Sequence, residues 1–324
     1  MPPISHTRAL RDYQLLDNVW ATHGVVFLSG TQALVRLMWM QRQLDERQQW
    51  NTRGFISGYR GSPLGMVDQV IWKQDEKFKN AGIEFVPAIN EELGATQVLG
   101  TQRVESDPER TVDGVFGLWY GKGPGVDRAG DALKHGNAYG SSPHGGVLVV
   151  AGDDHGCVSS SMPHQSDQVF QSWHMPVVSP ADVSELVSFG LYGFALSRYS
   201  GAWVGMTALT EVVESSTTVD LDEINAQTAA WKTLQEVQAL TGHQSPSDGL
   251  HYRWPDLPSL SIESRLQDKL AAVAAFAQVN SIDRTVIDSP QAHIGIVTAG
   301  KAHHDLMEVF RRLGLSEAAL ANAG

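Results

Sequence analysis

Cysteine is almost absent: Cys157 is the single thiol in 324 residues. One thiol cannot build a disulfide framework, a structural zinc site or an iron–sulfur cluster, so none of these is expected within the chain. Long apolar runs are missing too. No stretch approaches the roughly 18 apolar residues that a membrane-spanning helix needs. The opening Met1-Pro2-Pro3-Ile4-Ser5-His6 lacks the charged and then apolar pattern of a secretory signal. Positive charge is scarce, with 24 Lys and Arg against 36 Asp and Glu and a formal net charge of −12. The densest basic pair is Arg311-Arg312, which is no patch, so neither nucleic acid nor an anionic membrane is an expected partner. These absences point to a cytoplasmic protein. A content of 42% hydrophobic and 19% charged residues is that of an ordinary globular chain.

What is present is an alternation of short apolar runs with turns and helical patterns, the signature of a parallel sheet covered by helices. Val25–Leu28 reads as the first strand, followed by a helix carrying Ala33, Leu34, Leu37, Met38 and Leu44 on one face. Gly54–Ser57 is the next strand. Phe85-Val86-Pro87 precedes Asn90, a good N-cap for a helix that starts at Glu91 and continues through Leu99. Val147–Ala151 is the clearest buried strand, residues 175–178 form a short one, a helix runs from Val183 to Tyr199, and a strand over 202–209 closes the unit.

The expected fold class is thus α/β, three layers around a parallel sheet over residues 1–220. Residues 221–260, polar and rich in Pro and Gly, read as a connector. Residues 261–324 read as the start of a second α/β domain: an Ala-rich helix over 262–279, a strand at 293–299 and a helix at 305–313. That domain is expected to be incomplete, because a lone βα unit cannot cover both faces of its strand.

Ligands of open α/β sheets gather at the carboxyl ends of the strands. Four loops dense in Gly and small polar residues are expected there: Ser29–Gln32, Gly58–Gly65, Gly121–Leu133 and Gly152–Asp167. Gly lets backbone approach a ligand closely, yet it is also ordinary turn chemistry, and on composition both readings stand. None of the four matches a dinucleotide fingerprint or a P-loop. Glu91 and Glu92 are the carboxylates of first interest, although acidic residues in a first helical turn also offset the helix dipole without further function.

In order, Gly30-Thr31-Gln32-Ala33, Gly58-Tyr59-Arg60-Gly61-Ser62-Pro63 and Asn90-Glu91-Glu92 resemble Gly-Asn-Glu-Ala, Gly-Tyr-Pro-Gly-Thr-Pro and Asn-Glu-Lys of the indolepyruvate:ferredoxin oxidoreductases. These belong to the 2-oxoacid:ferredoxin oxidoreductase family. Gly125–Leu133 is similar to that family's Gly-Leu-Asn-Val-Ala-Ser-Asp-Pro-Leu, and Val149–Asp154 with Ser159–Asp167 continue the likeness.

The resemblance implies the pyrimidine-binding fold of a thiamine-diphosphate enzyme over residues 1–220, with 261–324 opening a transketolase C-terminal-like domain. It implies oxidative decarboxylation of a 2-oxo acid such as an arylpyruvate, with coenzyme A and ferredoxin. Glu91 takes the role of the carboxylate that hydrogen-bonds the aminopyrimidine ring and favours its imino tautomer, which removes the thiazolium C2 proton. Ser62 corresponds to the Thr that meets the substrate carboxylate. Arg60, where the family has Pro, either adds a charge-assisted contact there or pairs with an acidic surface neighbour. Gly30, Thr31, Gly61, Pro63, Lys122, Gly125, Asp127 and Asp131 are the implied cofactor neighbours, and the chain itself is expected to hold no metal ligands. Diphosphate, Mg²⁺ and iron–sulfur clusters are implied to reside in a partner domain or subunit, in a dimer or larger assembly. His155 and His164 stay open between acid–base and structural roles.

Overall fold

The computed structural model describes residues 13–253, 256 and 259–323, so the Met1–His6 segment read above lies outside the described residues. In chain order the elements are α1 (Asp17–Trp20), β1 (Val25–Ser29), α2 (Gly30–Arg47), β2 (Arg53–Gly58), α3 (Val67–Trp72), α4 (Asp75–Asn80), β3 (Ile83–Phe85) and α5 (Glu91–Thr101). Then come β4 (Val115–Lys122), α6 (Gly123–Arg128), α7 (Gly130–Tyr139), β5 (Val147–Gly152), α8 (Ser166–Ser172), β6 (Val177–Val178), α9 (Val183–Ser200) and β7 (Val204–Thr207). The rest is α10 (Thr210–Val213), β8 (Ser216–Asp220), α11 (Leu221–Ala230), α12 (Leu234–Thr241), α13 (Ser261–Val279), α14 (Lys301–Arg312) and α15 (Glu317–Ala323).

Six strands form one parallel sheet in the order β3-β2-β4-β5-β7-β6. Side chains alternate across its inner strands and sort the core into two halves. Phe116, Leu118, Tyr120, Leu148, Val150, Val204 and Met206 join α2 and α9 on one face. Trp119, Val147, Val149, Ala151 and Trp203 join α5, α6, α7 and α8 on the other. With both faces covered, β5 is buried at all six positions, as the apolar run Val147–Ala151 requires. The helix starts follow local chemistry. Ser29 and Gln32 form a reciprocal capping box on α2, and Asp182 accepts the Glu185 amide at the head of α9.

Four expectations differ from what forms. β1 is outside the parallel sheet and pairs antiparallel with β8. Its alternation gives the reason: Val26 and Leu28 are buried while Phe27 is 56% exposed, a strand covered on one face only. β4, a central strand, escaped the reading because Gly117 and Gly121 interrupt its apolar run, yet Val98 Cγ1 stands only 2.9 Å from where a Cβ on Gly117 would lie. The segment Gly121–Leu133 is no loop: after β4 it folds directly into α6 and α7. Residues 293–299 form no strand, and Ile294 and Val297 are 76% and 98% exposed, with no ladder partner among the described residues.

The polar stretch 221–258 contains α11 and α12. α13, expected at the head of the second unit, packs on α9 and α7. Buried Lys269 fixes it there, its Nζ donating to the Asn137 and Ala138 carbonyls at 2.9 and 3.0 Å.

Candidate functional site

The parallel sheet directs the carboxyl ends of β2, β3, β4 and β5 to one side, and α5 begins there. Asn90 caps α5, its Oδ1 accepting the Leu93 amide at 2.9 Å, so Glu91 occupies the first helical position. The fully buried indole of Trp119 donates to the Glu91 carbonyl at 3.0 Å, tying this residue to the central strand. The Glu91 side chain is 17% exposed and lies against α6. A Cβ on Gly125 would stand 2.6 Å from Glu91 Cγ and 3.0 Å from Oε1, so only glycine leaves room for this carboxylate.

A cleft of about 640 Å³ opens beside it, lined by Tyr59, Ile89, Asn90, Glu91, Pro124 and Arg128. Pro124 and Arg128, four residues apart, share one face of α6. Arg128 Nε is 3.8 Å from Glu91 Oε2. An apolar shelf of Val86, Pro87, Ile89 and Leu93 continues from the cleft, with Ile89 84% exposed.

The other side of α6 faces the loop after β5. His164 packs over Gly123, and its Nε2 lies 3.4 Å from Asp127 Oδ2. Asp153 is buried, and its carboxylate accepts both the Ser166 hydroxyl, at 2.6 Å, and the Ser166 amide, at 2.8 Å. Burial pushes its pKa up, while the two Ser166 hydrogen bonds pull the other way. Asp154 accepts the amides of Ser159 and Val158, which hold its carboxyl below the usual range. Lys122 Nζ donates to the Ser159 carbonyl at 2.7 Å, so it pins the same loop to the end of β4.

Of the residues singled out by sequence, Glu91 and Gly125 are brought together directly. Gly61 packs over the Lys122 side chain, while Pro63 and Leu64 lie over Gly152 at the end of β5. Ser62, half-buried between them, shares this loop. Arg60 is exposed and outside the Glu91 cleft; the acidic surface partner weighed for it is not found among the described residues. Asp131 points away from the cleft, 86% exposed and paired with His135 on α7. Gly30 packs against the Val213 backbone, and Thr31 is buried in the first turn of α2. Among the described residues no three His, Cys, Asp or Glu converge as a metal-binding group, and no helix is long and apolar enough to cross a membrane. Sequence reasoning missed Arg128. The signal was available, since Arg128 stands where the resembling motif has Val.

No family model matches the chain. It is 21% identical over 268 residues to the indolepyruvate oxidoreductase subunit IorA of Methanothermobacter thermautotrophicus, which covers 81% of this chain and 38% of that protein. IorA of Methanothermobacter marburgensis gives the same identity and coverage. The chain thus spans well under half the length of these curated relatives. Among solved structures, the 2-oxoglutarate:ferredoxin oxidoreductase from Magnetococcus marinus, with 2-oxoglutarate, coenzyme A and succinyl-CoA bound, matches with a TM-score of 0.59. The identity there is 18%, covering 90% of this chain and 52% of that one, so the likeness is one of fold. By the order of its motifs, its sequence relatives and its parallel α/β fold, the chain is a relative of the 2-oxoacid:ferredoxin oxidoreductases.

Proposed function

We propose that the chain is the pyrimidine-binding part of a thiamine-diphosphate-dependent enzyme that oxidatively decarboxylates an arylpyruvate such as indolepyruvate. Coenzyme A would take the acyl group and ferredoxin the electrons. One observation carries the reading. The carboxylate at the motif position of the tautomerising Glu stands half-sheltered over an open cleft at the carboxyl ends of a parallel sheet, where Gly125 makes room for it.

The residues present suit the cofactor. Tyr59, Ile89 and Pro124 offer apolar and aromatic walls for a flat ring, and Glu91 offers a carboxylate to a ring nitrogen. When bound, thiamine diphosphate supplies the carbanion chemistry. The work of the chain is to share a proton at that nitrogen through Glu91 and to hold the carboxylate still through Trp119 and Gly125. The Ser62 hydroxyl stands on the adjacent loop for the 2-oxo acid, and Lys122 anchors the loop after β5 beneath it. The apolar shelf from Val86 to Leu93 favours an aromatic side chain on the substrate. Diphosphate, Mg²⁺ and iron–sulfur clusters are assigned to a partner domain or subunit in a dimeric or larger cytoplasmic assembly, and residues 261–324 to the opening of a further domain.

Calorimetric titration of thiamine diphosphate with Mg²⁺ tests the reading, on this chain alone and with the polypeptide that completes it. Binding by the mixture, together with slowed deuterium exchange at cofactor C2 in Glu91→Gln, is the expected result. Unchanged exchange in that variant removes Glu91 from the role. Absence of binding in the mixture favours a module that serves assembly only.

A further inference from the structure

Among the described residues, no side chain of the loop over residues 58–65 makes a hydrogen bond or an ion pair. What holds this loop is the strand beneath it. Tyr120 on β4, in register with Gly58 on β2, meets the loop at both ends. At the entry its carbonyl accepts the Tyr59 amide at 3.2 Å. Past the exit its phenol donates to Oδ1 of Asp68, in the first turn of α3. Between these ties Pro63 and Leu64 sit on Gly152, and the Leu64 amide turns back to the Gly61 carbonyl at 2.7 Å. Gly58 leaves room for the ring, since a Cβ there would stand 2.6 Å from Tyr120 Cδ1.

Both partners of the phenol bond are buried, and the Asp68 side chain has no other hydrogen-bond or ion-pair partner among the described residues. A buried carboxylate without its donor bears the full desolvation penalty, so this bond is hard to break. Burial, the hydrogen bond to Asp68 and the Asp68 charge raise the pKa of the phenol, with Arg60 opposing, so it stays a donor across the neutral range. The core does not call for the hydroxyl. Phe116, four residues earlier on the same face of β4, packs as a plain ring. At Tyr120 the oxygen adds only the reach to α3.

We propose that Tyr120 is a positioning residue: with Asp68 it clamps both ends of the 58–65 loop and so holds Ser62 in place before a 2-oxo acid arrives. Tyr120 is buried beneath the loop and acts only through it. This rests on the reading of Ser62 given above, but its test is separable.

The test compares wild type with Tyr120→Phe, Asp68→Asn and the double variant Tyr120→Phe, Asp68→Leu, both as the full chain and in the assembled enzyme. In the chain, hydrogen–deuterium exchange over residues 59–67 reads the clamp without cofactor or substrate. Tyr120→Phe is expected to speed that exchange by about tenfold, as for the loss of one hydrogen bond, and to leave β5 unchanged. In the assembled enzyme its kcat/KM for phenylpyruvate should fall about 10- to 100-fold through the displaced loop, with most of the loss in KM. Thiamine-diphosphate affinity should not move, because Phe keeps the backbone carbonyl that holds Tyr59. Asp68→Asn still offers the phenol an acceptor and should retain most of the turnover. The double variant leaves no buried group unpaired, so it should regain the wild-type melting temperature but neither slow exchange nor turnover. Unchanged exchange or turnover in Tyr120→Phe, or turnover that returns with stability in the double variant, overturns the proposal and leaves the thiamine-diphosphate reading untouched. Faster exchange in Tyr120→Phe, with no cofactor binding by the assembled wild type, supports the clamp and overturns that reading instead.

Discussion

A methyl group on Gly125 would stand 2.6 Å from Cγ of Glu91 and 3.0 Å from its Oε1, so the position of the carboxylate is set by an atom that residue 125 lacks. Gly125 lies in α6 with a helical neighbour on each side. There Ala raises helix stability by roughly 0.5–1 kcal/mol over Gly. Gly125→Ala therefore separates fold from site. The melting temperature should hold or rise slightly while Glu91 rotates out of the cleft. Thiamine-diphosphate binding by the assembled enzyme should fall by at least about tenfold, since the charge-assisted contact is lost. Full affinity in this variant would mean that Glu91 does not need its observed position.

Trp119 holds the other end of the same residue, through its backbone. Replacing the indole by Phe keeps most of the buried area but leaves the Glu91 carbonyl without its donor. The expected loss is about 1–2 kcal/mol in urea unfolding, from one hydrogen bond and a small cavity. Trp119→Ala, which empties a fully buried site, should cost about 3–5 kcal/mol. If the Phe variant matches wild type in stability, the indole N–H is not anchoring α5.

The sequence made the sheet legible where strands carry unbroken apolar runs, as in Val147–Ala151, and the start of α5 legible through Asn90, whose side chain does cap it. It hid β4, because Gly117 and Gly121 interrupt its apolar run: Gly117 is dictated by the approach of Val98 from α5, a contact that only the tertiary fold creates, and Gly121 lies under the Trp119 ring two residues earlier on the same strand. Residues 293–299 mislead in the opposite way. Ile294, Ile296 and Val297 have strand propensity, but propensity needs a pairing edge, and none meets them among the described residues. At the site, motif order located Glu91 and Gly125 together. It could not separate Asp131, which faces away, from Arg128, which lines the cleft, because one helical turn of α6 and α7 decides which side chain points where.

Asp45 and Arg198 form a buried pair away from the cleft. Arg198 donates to both carboxylate oxygens at 2.6 and 2.8 Å, and Asp45 is fully buried. Gln41 and Thr52 add further hydrogen bonds to the same carboxylate. Arg198→Met leaves a buried anion with neutral donors only, a change that typically costs about 3–5 kcal/mol. The urea midpoint should drop accordingly, and the double variant with Asp45→Asn should regain part of the loss, because the charge that made the defect costly is gone. Cofactor affinity should be unaffected in either. A single variant as stable as wild type would show that water or local rearrangement reaches Asp45.

Lys269 makes stability depend on pH. Burial lowers its pKa from 10.5 to about 7, with Arg265 pushing the same way and Asp256 opposing. The unfolded chain keeps the ordinary value, so between about pH 7 and 10 it binds a proton that the folded chain does not. Stability therefore rises with pH across that window, by up to roughly 1.4 kcal/mol per pH unit, and the full penalty is present below it. His251, whose pKa burial also lowers, acts in the same direction but only below its ordinary value of 6.5, so measurements above pH 7 isolate the lysine. Lys269→Met should flatten the slope of urea stability against pH in this window. It should also lose stability at pH 9, where the Asn137 and Ala138 carbonyls miss their donor without any relief of buried charge. The gap between variant and wild type should then narrow as pH falls toward 7. A gap that stays constant from pH 7 to 9 would show that the ammonium is accommodated by the carbonyls of α7 at no cost, and that the docking of α13 is insensitive to protonation.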